Sequence, residues 1–561
     1  MRIVIVGGVA AGMSAAARAR RHDEDAEIVV LERGTEVSFA NCGLPYHVGG
    51  EIADAEDLLL HSPESLQAAL NLDVRVRHDV ISIDPQARTV VARTPEHDIT
   101  LTYDALILAP GATALRPRMP GIDSPLVHTL RTVGDARSLR TLIDTGARSA
   151  VVLGGGFIGI EAAEALAGAG LSVDVVELSP HVLPPLEHEL ATLVRAELVR
   201  LGIRVHDGVA AERIVESGPE AVVRLSDGTD LTADLIVLSV GVRPDTGFAE
   251  AAGVATLRGA IVVDDHGRTS LPGIWAAGDA TISTDLVTGI QRPVALAGPA
   301  NRAGRLIADD IFGIDGARSV PTSIGTAIVR VGDLTVALTG ANRAALRTAG
   351  IDHITLHLHP NQHAGYFPGA VPVHLVVHMR REDGLLLGAQ AIGTDGVDKR
   401  IDVIATSIRA GFTAPDLMDL DLAYSPPYGQ AKDPVNLIGM VGENILGGRL
   451  RLWYAEDLES VRRDSLVLDV RSRAEFATGH IPGSLNIPHT ELRDRLDVVR
   501  DAADGRGVRV LCAAGVRSNI AHRILTNNGF DSASLSGGMQ TLRAWHDAEI
   551  DRVLTTEGVP A

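Results

Sequence analysis

The most restrictive feature of this 561-residue sequence is a piece of local grammar that occurs twice. Over 148–178 an apolar run at 150–153 leads into Gly154-Gly155-Gly156-Phe157-Ile158-Gly159. An alanine-rich stretch of helical spacing follows, and a second apolar run over 172–178 carries Glu177 near its end. This predicts a strand, a glycine turn, a helix and a second parallel strand. Gly154 permits the tight turn, Gly156 lets a pyrophosphate approach the backbone, and Gly159 lets helix and strand pack closely, with the phosphate on the helix N-terminus. A carboxylate at Glu177 suits a ribose 2′-hydroxyl and repels a 2′-phosphate, and no arginine follows in Ser179-Pro180-His181. The pattern predicts NADH, with NADPH less favoured.

The same order opens the chain: a strand over 2–6, the loop Gly7-Gly8-Val9-Ala10-Ala11-Gly12, an Ala/Arg-rich helix, and a strand over 28–31 followed by Glu32. Val9 stands where the middle glycine is expected. Two later segments belong with this unit. Leu108-Ala109-Pro110-Gly111-Ala112 is a turn after an apolar strand. Ile274-Trp275-Ala276-Ala277-Gly278-Asp279 is a strand ending in a carboxylate suited to a ribityl or phosphate hydroxyl. Two such units imply two nucleotide sites in an α/β chain with two Rossmann-like domains.

Beyond these units the chain changes character. From 321 to 445 apolar and polar residues alternate over 327–331, 353–359 and 371–378 and then turn helical over 399–408, which predicts an α+β domain with an antiparallel sheet. A linker at Gly447 and Gly448 leads to an α/β block over 460–555, with strands at 466–470 and 509–512. The formal net charge of −20 argues against a nucleic-acid partner. Two cysteines, Cys42 and Cys512, exclude a disulfide framework and a thiolate zinc site. The apolar stretch over 3–17 is short, broken by Gly7, Gly8 and Gly12, and followed by Arg18, Arg20 and Arg21. It reads as a nucleotide loop, not a signal core, so the expectation is a cytoplasmic protein with no membrane segment. His353, His357, His359 and His363 invite a metal reading, but no carboxylate or cysteine joins them at ligand spacing, and no metal is expected.

The order of these pieces resembles the pyridine nucleotide–disulfide oxidoreductases. The resemblance implies FAD on a discontinuous first domain (1–112 and 245–320), NADH on the second (113–244) and a dimerisation domain over 321–445. FAD is expected to meet Gly7, Gly12, Glu32, Arg33, Ala109, Gly111, Gly278 and Asp279, and NADH to meet Gly154, Gly156, Gly159 and Glu177. Cys42 lies in Ser38-Phe39-Ala40-Asn41-Cys42-Gly43-Leu44-Pro45-Tyr46 with no second cysteine four or five residues away. An internal redox disulfide is therefore not available. The segment is similar to the single-cysteine, coenzyme A-disulfide reductase branch, whose lone thiolate cycles through a mixed disulfide with its substrate. Tyr366, in His363-Ala364-Gly365-Tyr366-Phe367-Pro368-Gly369, and Tyr424, in Ala423-Tyr424-Ser425-Pro426-Pro427-Tyr428, match two tyrosines that reach the partner subunit's cysteine in a homodimer. There they would hydrogen-bond the leaving sulfur. Ser38 and Asn41 match positions near the thiol end of coenzyme A, and Arg18 and Arg21 could meet its phosphates. Ala69 and Leu70 stand where relatives carry basic residues, which leaves room for another small thiol.

The last block carries Leu468-Asp469-Val470-Arg471, Glu475-Phe476, Gly479-His480-Ile481-Pro482-Gly483, Cys512-Ala513-Ala514-Gly515-Val516-Arg517-Ser518 and Leu535-Ser536-Gly537-Gly538. It resembles a rhodanese domain. The resemblance implies a loop that wraps its N–H groups around the Cys512 sulfur, with Gly515 in the turn and Arg517 adding positive charge. The loop interior is small and apolar, unlike the cationic loop of thiosulfate-specific relatives. The whole chain resembles the coenzyme A-disulfide reductase–rhodanese fusions, some of which reduce persulfides or polysulfides with NADH. Cys512 would pass sulfane sulfur to a thiol, and Cys42 would reduce the product, with a pantetheine arm able to serve both. The rival readings are an NADH oxidase or peroxidase with a Cys42 sulfenic acid, and a redox-sensing scaffold.

Overall fold

The structure is a computed structural model that describes residues 1–557. The chain forms two compact units, one of residues 1–182 and 199–325, the other of residues 183–198 and 326–557 within the described range.

The first unit holds two five-stranded parallel sheets. In one, Arg2–Val6 lies between Glu27–Leu31 and Ala105–Leu108, and Ile274–Ala276 pairs with Ala105–Leu108 from the other side. The segment after 245 thus returns to the sheet begun at residue 2. In the other, Ser149–Leu153 lies between Ser172–Glu177 and Leu235–Leu238. The central strands are near-continuous apolar runs because both faces of each parallel sheet are covered; in the first sheet helices cover one face and a three-stranded antiparallel sheet the other. Helix Ala10–His22 packs on helix Ala297–Ile311 so closely that a Cβ on Gly304 would lie 2.1 Å from the Ala11 carbonyl oxygen. Each half also carries a three-stranded antiparallel sheet, Asp79–Asp84 with Thr89–Arg93 and Asp98–Thr102, and Ala211–Ser217 with Glu220–Leu225 and Asp230–Ala233. Sequence patterning did not single these out.

The second unit holds a five-stranded antiparallel sheet in the order Ala327–Val331, Leu334–Gly340, Leu386–Gly393, His374–Arg380, His353–Leu358. Leu386–Gly393 is buried along its whole length, so it shows no alternation for the sequence to reveal. The strand expected from 371 begins at His374, after Pro372, which has no N–H for the ladder. Helix Val397–Ala410 covers this sheet. Helix Pro434–Leu446 ends at Gly447, and Gly448 takes a left-handed φ of +66°. A parallel sheet then runs Leu452–Trp453, Ser532–Leu535, Gly507–Leu511, Ser465–Asp469, Leu485–Asn486. No helix of the described residues is long and apolar enough to cross a membrane.

Candidate active site

The two glycine loops are wired alike. Gly7 and Gly154 adopt φ of +101° and +104°, and their N–H groups donate to the carbonyls of Leu31 and Val176, each at 2.8 Å. A Cβ on Gly12 would lie 1.9 Å from the Gly7 oxygen, and one on Gly159 would lie 1.9 Å from the Gly154 oxygen. Glu32 accepts from the N–H of Gly8 at 2.8 Å and of Gly34 at 2.7 Å. Glu177 accepts from Gly155 and Ser179, both at 2.7 Å. Each carboxylate therefore braces its own loop from the C-terminal end of the second strand. The middle position is different. Gly156 has φ −76° and open space around its missing side chain, while Val9 has φ −116°. Neither backbone needs glycine, which is why valine is accommodated in the first loop.

Around the first loop the expected residues converge. A Cβ on Gly7 would lie 2.0 Å from the Ala109 oxygen, and one on Gly278 would lie 3.3 Å from Ala11 Cβ. Gly111 takes φ +71°. Arg33 is ion-paired with Asp245. Asp279 is pushed above the usual carboxylate range by burial, with Arg131, 3.8 Å away, pulling the other way. Arg131 was not anticipated, because it arrives from a distant segment and has no motif of its own. A cradle of close backbone approaches, closed by the half-buried Asp279–Arg131 pair, fits FAD.

Cys42 sits in a short turn, Asn41–Gly43, ahead of helix Leu44–Gly49. The segment before it is strapped down. Ser38, at φ +50°, donates its N–H to the Gly8 carbonyl at 2.8 Å, and Ala40 N–H donates to Leu58 at 2.8 Å. Left-handed backbone at a residue other than glycine is strain of the kind that gathers at working sites. Helix Leu44–Gly49 rests on helix Phe157–Gly168, with the position of a Gly49 Cβ 3.2 Å from Ala165 Cα, so Cys42 is held beside the second nucleotide unit. Cys42 is exposed. The protein packed on one side of it nonetheless raises its thiol above the ordinary value, and Glu161 adds to the shift. Glu161 could have been noticed as the first charge in the apolar start of its helix. Asn41 is exposed beside the cysteine, and Ser38 is half-buried. Arg18 is already paired with Asp309 at 2.5 Å, whereas Arg21 is exposed.

In the second unit the hydroxyls of Tyr366 and Tyr424 lie 3.4 Å apart. They are 78% and 49% exposed in the single chain, an unusual position for aromatics in a chain containing 3% of them. The histidines resolve into a hydrogen-bonded junction. His357 lies 2.7 Å from both Ser536 Oγ and Glu189 Oε1, and His359 lies 2.8 Å from both His374 Nδ1 and Thr541 Oγ1. Their ring nitrogens are thereby committed to protein partners.

Cys512 follows strand Gly507–Leu511 and is 1% exposed. The Gly515 N–H points at its sulfur from 3.2 Å, and Ser518 Oγ lies 3.4 Å away, itself accepting from Ser534 Oγ at 2.8 Å. Gly515 takes φ +99° so that the loop can turn its amide inward ahead of helix Val516–Asn527. Gly538 backs the loop, where a Cβ would lie 2.5 Å from the Cys512 oxygen. Arg517 is bound bidentately by Glu475 at 2.6 and 2.7 Å. The serine pair and the role of Glu475 carried no signal in sequence spacing.

Residues 1–304 match the pyridine nucleotide-disulphide oxidoreductase model, 326–434 its dimerisation domain and 452–545 the rhodanese-like domain. The chain is 34% identical over 444 residues to a coenzyme A disulfide reductase of Staphylococcus haemolyticus, covering 78% of this chain and 98% of that protein. It is 31% identical to an NADH oxidase of Methanocaldococcus jannaschii, covering 78% and 97%. Among solved structures, reduced Bacillus anthracis CoADR-RHD is 39% identical, with a TM-score of 0.95 over 98% of this chain and 99% of that one. A NAD-dependent persulfide reductase from A. fulgidus is 36% identical, with a TM-score of 0.90 over 96% and 100%.

Proposed function

The chain belongs to the pyridine nucleotide-disulphide oxidoreductase family, and from that premise we propose that it is an NADH-dependent flavoprotein reductase of small-thiol persulfides, polysulfides or disulfides. It acts through Cys42 and is coupled to rhodanese sulfur transfer at Cys512. The observation that carries this reading is the isolation of Cys42. The chain has one other cysteine, and that one is buried in its own wrapped loop with Gly515 and Ser518 on its sulfur. Cys42 is left to form its mixed disulfide with an external thiol.

Gly7, Gly12, Glu32, Ala109, Gly278 and Asp279 would hold FAD, and Gly154, Gly156, Gly159 and Glu177 would hold NADH. Bound flavin supplies the two-electron relay from the nicotinamide to the cysteine. The chain's own work lies around Cys42. Partial burial and Glu161 disfavour the free thiolate. The thiolate attacks the sulfur–sulfur bond of the substrate, forms a Cys42–sulfur bond and expels hydrosulfide or a thiolate. Tyr366 and Tyr424, acting from the partner subunit, would donate a hydrogen bond to that leaving sulfur. Coenzyme A is the favoured thiol, which the named relatives support. Ser38 and Asn41 would flank its thiol end. Arg21 is the stronger candidate for its phosphates, because Arg18 is already neutralised by Asp309.

The test is NADH oxidation against a panel of thiol persulfides and disulfides, with Cys42→Ser and Cys512→Ala. Cys42→Ser abolishes reduction. Cys512→Ala spares reduction of a preformed persulfide and abolishes sulfur transfer, and equal loss of both would refute the division of labour. The NADH oxidase among the relatives favours a second reading, a Cys42 sulfenic acid turning over oxygen or peroxide. Rapid oxygen-dependent NADH consumption without added sulfur would establish that reading in place of the first. Steady turnover of either kind excludes a sensor.

A further inference from the structure

The electrostatics at the mouth of the Cys512 loop speak to which sulfur donor it takes, a question that rests on the sulfur-transfer reading above. Three arginines lie on the loop and on the segment after strand Ser465–Asp469, and each is matched by a carboxylate. Arg471 is held by Asp469 at 2.6 Å, Arg473 by Glu491 at 2.5 Å, and Arg517 by Glu475 at 2.6 Å. Arg517 follows Cys512 by five residues, and its guanidinium is held charged first by its hydrogen bonds to Glu475, with the Cys512 sulfur adding to the same effect. Its partner is firmly set. Glu475 is the third residue of helix Arg473–Ala477, and its Oε2 also accepts from the N–H and hydroxyl of Ser472, at 3.0 and 2.9 Å. The Arg517 hydrogen bonds first, and the Ser472 bonds after them, hold its carboxyl down at about 2. Val516 and Ile520, four residues apart on one helix face, are 73% and 42% exposed.

We infer that Glu475 is a specificity-determining residue of the sulfur-transfer site. By neutralising Arg517, it makes Cys512 select a thiol persulfide, at most singly charged and with an uncharged arm, over a dianionic donor such as thiosulfate. In the selected reaction the Cys512 thiolate attacks the outer sulfur of R–S–SH. A Cys512–sulfur bond forms, the donor's sulfur–sulfur bond breaks, and R–S⁻ leaves, with no net oxidation. Attack on thiosulfate is the same displacement with sulfite as the leaving group, but it requires a doubly negative ion beside a thiolate. A bare guanidinium would offset that charge, whereas a paired one does not. The apolar lip of Val516 and Ile520 accommodates the aliphatic arm of the persulfide.

The experiment measures loading of Cys512, as the mass gain of one sulfur, from thiosulfate and from N-acetylcysteamine persulfide in the full-length protein. Glu475→Gln keeps the helix cap, because glutamine also serves at that position, and frees Arg517. The ratio of thiosulfate to persulfide kcat/KM is expected to rise about tenfold. Adding Arg517→Gln should return the ratio to that of the unaltered protein. A ratio unmoved by Glu475→Gln while persulfide loading persists overturns the inference. So does a gain that survives in the double variant, because the effect would not then run through Arg517. Failure of the unaltered protein to load from either donor removes the sulfur-transfer reading itself, and the inference with it.

Discussion

His357, at the edge of the antiparallel sheet, is hydrogen-bonded to Ser536 in the turn that backs the Cys512 loop, Nδ1 to Oγ at 2.7 Å. On its other side the same ring meets Glu189, which with Glu187 also surrounds Arg343. Removing one member strands the others. His357→Phe leaves a buried carboxylate short of a partner and is expected to destabilise the second unit by about 3 kcal/mol. Ser536→Ala removes one neutral bond and is expected to cost about 1 kcal/mol. Denaturant unfolding followed by tryptophan emission reads both, since two of the three tryptophans, Trp453 and Trp545, lie in this unit. Equal small losses would show that the junction is not electrostatically coupled.

The same unit should lose stability in acid in two overlapping stages. His522 is depressed to about 4 by burial and by Arg523 and Arg451. A depressed histidine contributes stability that is present above 6.5, its ordinary value, and lost as pH falls through the folded value. Glu189 is held down at about 2. Burial opposes its charge, but the His357 hydrogen bond and the charges of His357 and Arg343 prevail. Its contribution is present above 4.5 and lost as pH falls toward 2. The melting temperature of the second unit is therefore expected to fall from about pH 6.5 downward, and His522→Gln to flatten the upper stage. A melting temperature constant between those limits would contradict the assignment.

Two glycines of one loop should respond differently to the same substitution. Gly159→Ala places a methyl 1.9 Å from the Gly154 oxygen and 2.6 Å from Ser239 Oγ. It is expected to cost several kcal/mol, roughly the range for an overpacked core. Gly156→Ala meets nothing in the protein. It should leave stability within about 1 kcal/mol while raising the KM for NADH. Thermal unfolding and steady-state kinetics on both variants separate the fold's need for glycine from the ligand's. An unchanged KM in Gly156→Ala would place the pyrophosphate elsewhere.

The tyrosine pair yields a test of subunit sharing. Phenylalanine at Tyr366 and Tyr424 is expected to lower kcat roughly a hundredfold, the scale of a lost general acid. Mixing chains bearing Cys42→Ser with chains bearing both phenylalanines would restore about a quarter of full activity. Half the dimers would be mixed, and each of those would hold one complete site. No restoration would mean that the tyrosines serve their own chain's cysteine or none.

Much of this molecule is written locally. Gly7, Gly12, Gly154 and Gly159 are required by positive φ or by contacts under 2 Å, which only glycine satisfies, so their spacing reports the turn directly. Glu32 and Glu177 end their strands where the pattern puts them, and Cys512 lies in a loop whose residues run consecutively. The strand Leu386–Gly393 escaped notice because burial on both faces erases the alternation that identifies a strand. Val9 looked like a defect in the motif until its φ showed that its position never needed glycine.

Sequence alone determined the two nucleotide units, the isolation of Cys42 in its segment and the fused rhodanese-like block, because each depends on residues close together in the chain. Tertiary structure decided what surrounds them: Arg131 against Asp279, Glu161 behind Cys42, Glu475 on Arg517 and His357 between Glu189 and Ser536. These partners lie tens to hundreds of residues apart. Their charges act through space at a few ångströms, a proximity that no one-dimensional spacing records and only the folded chain creates.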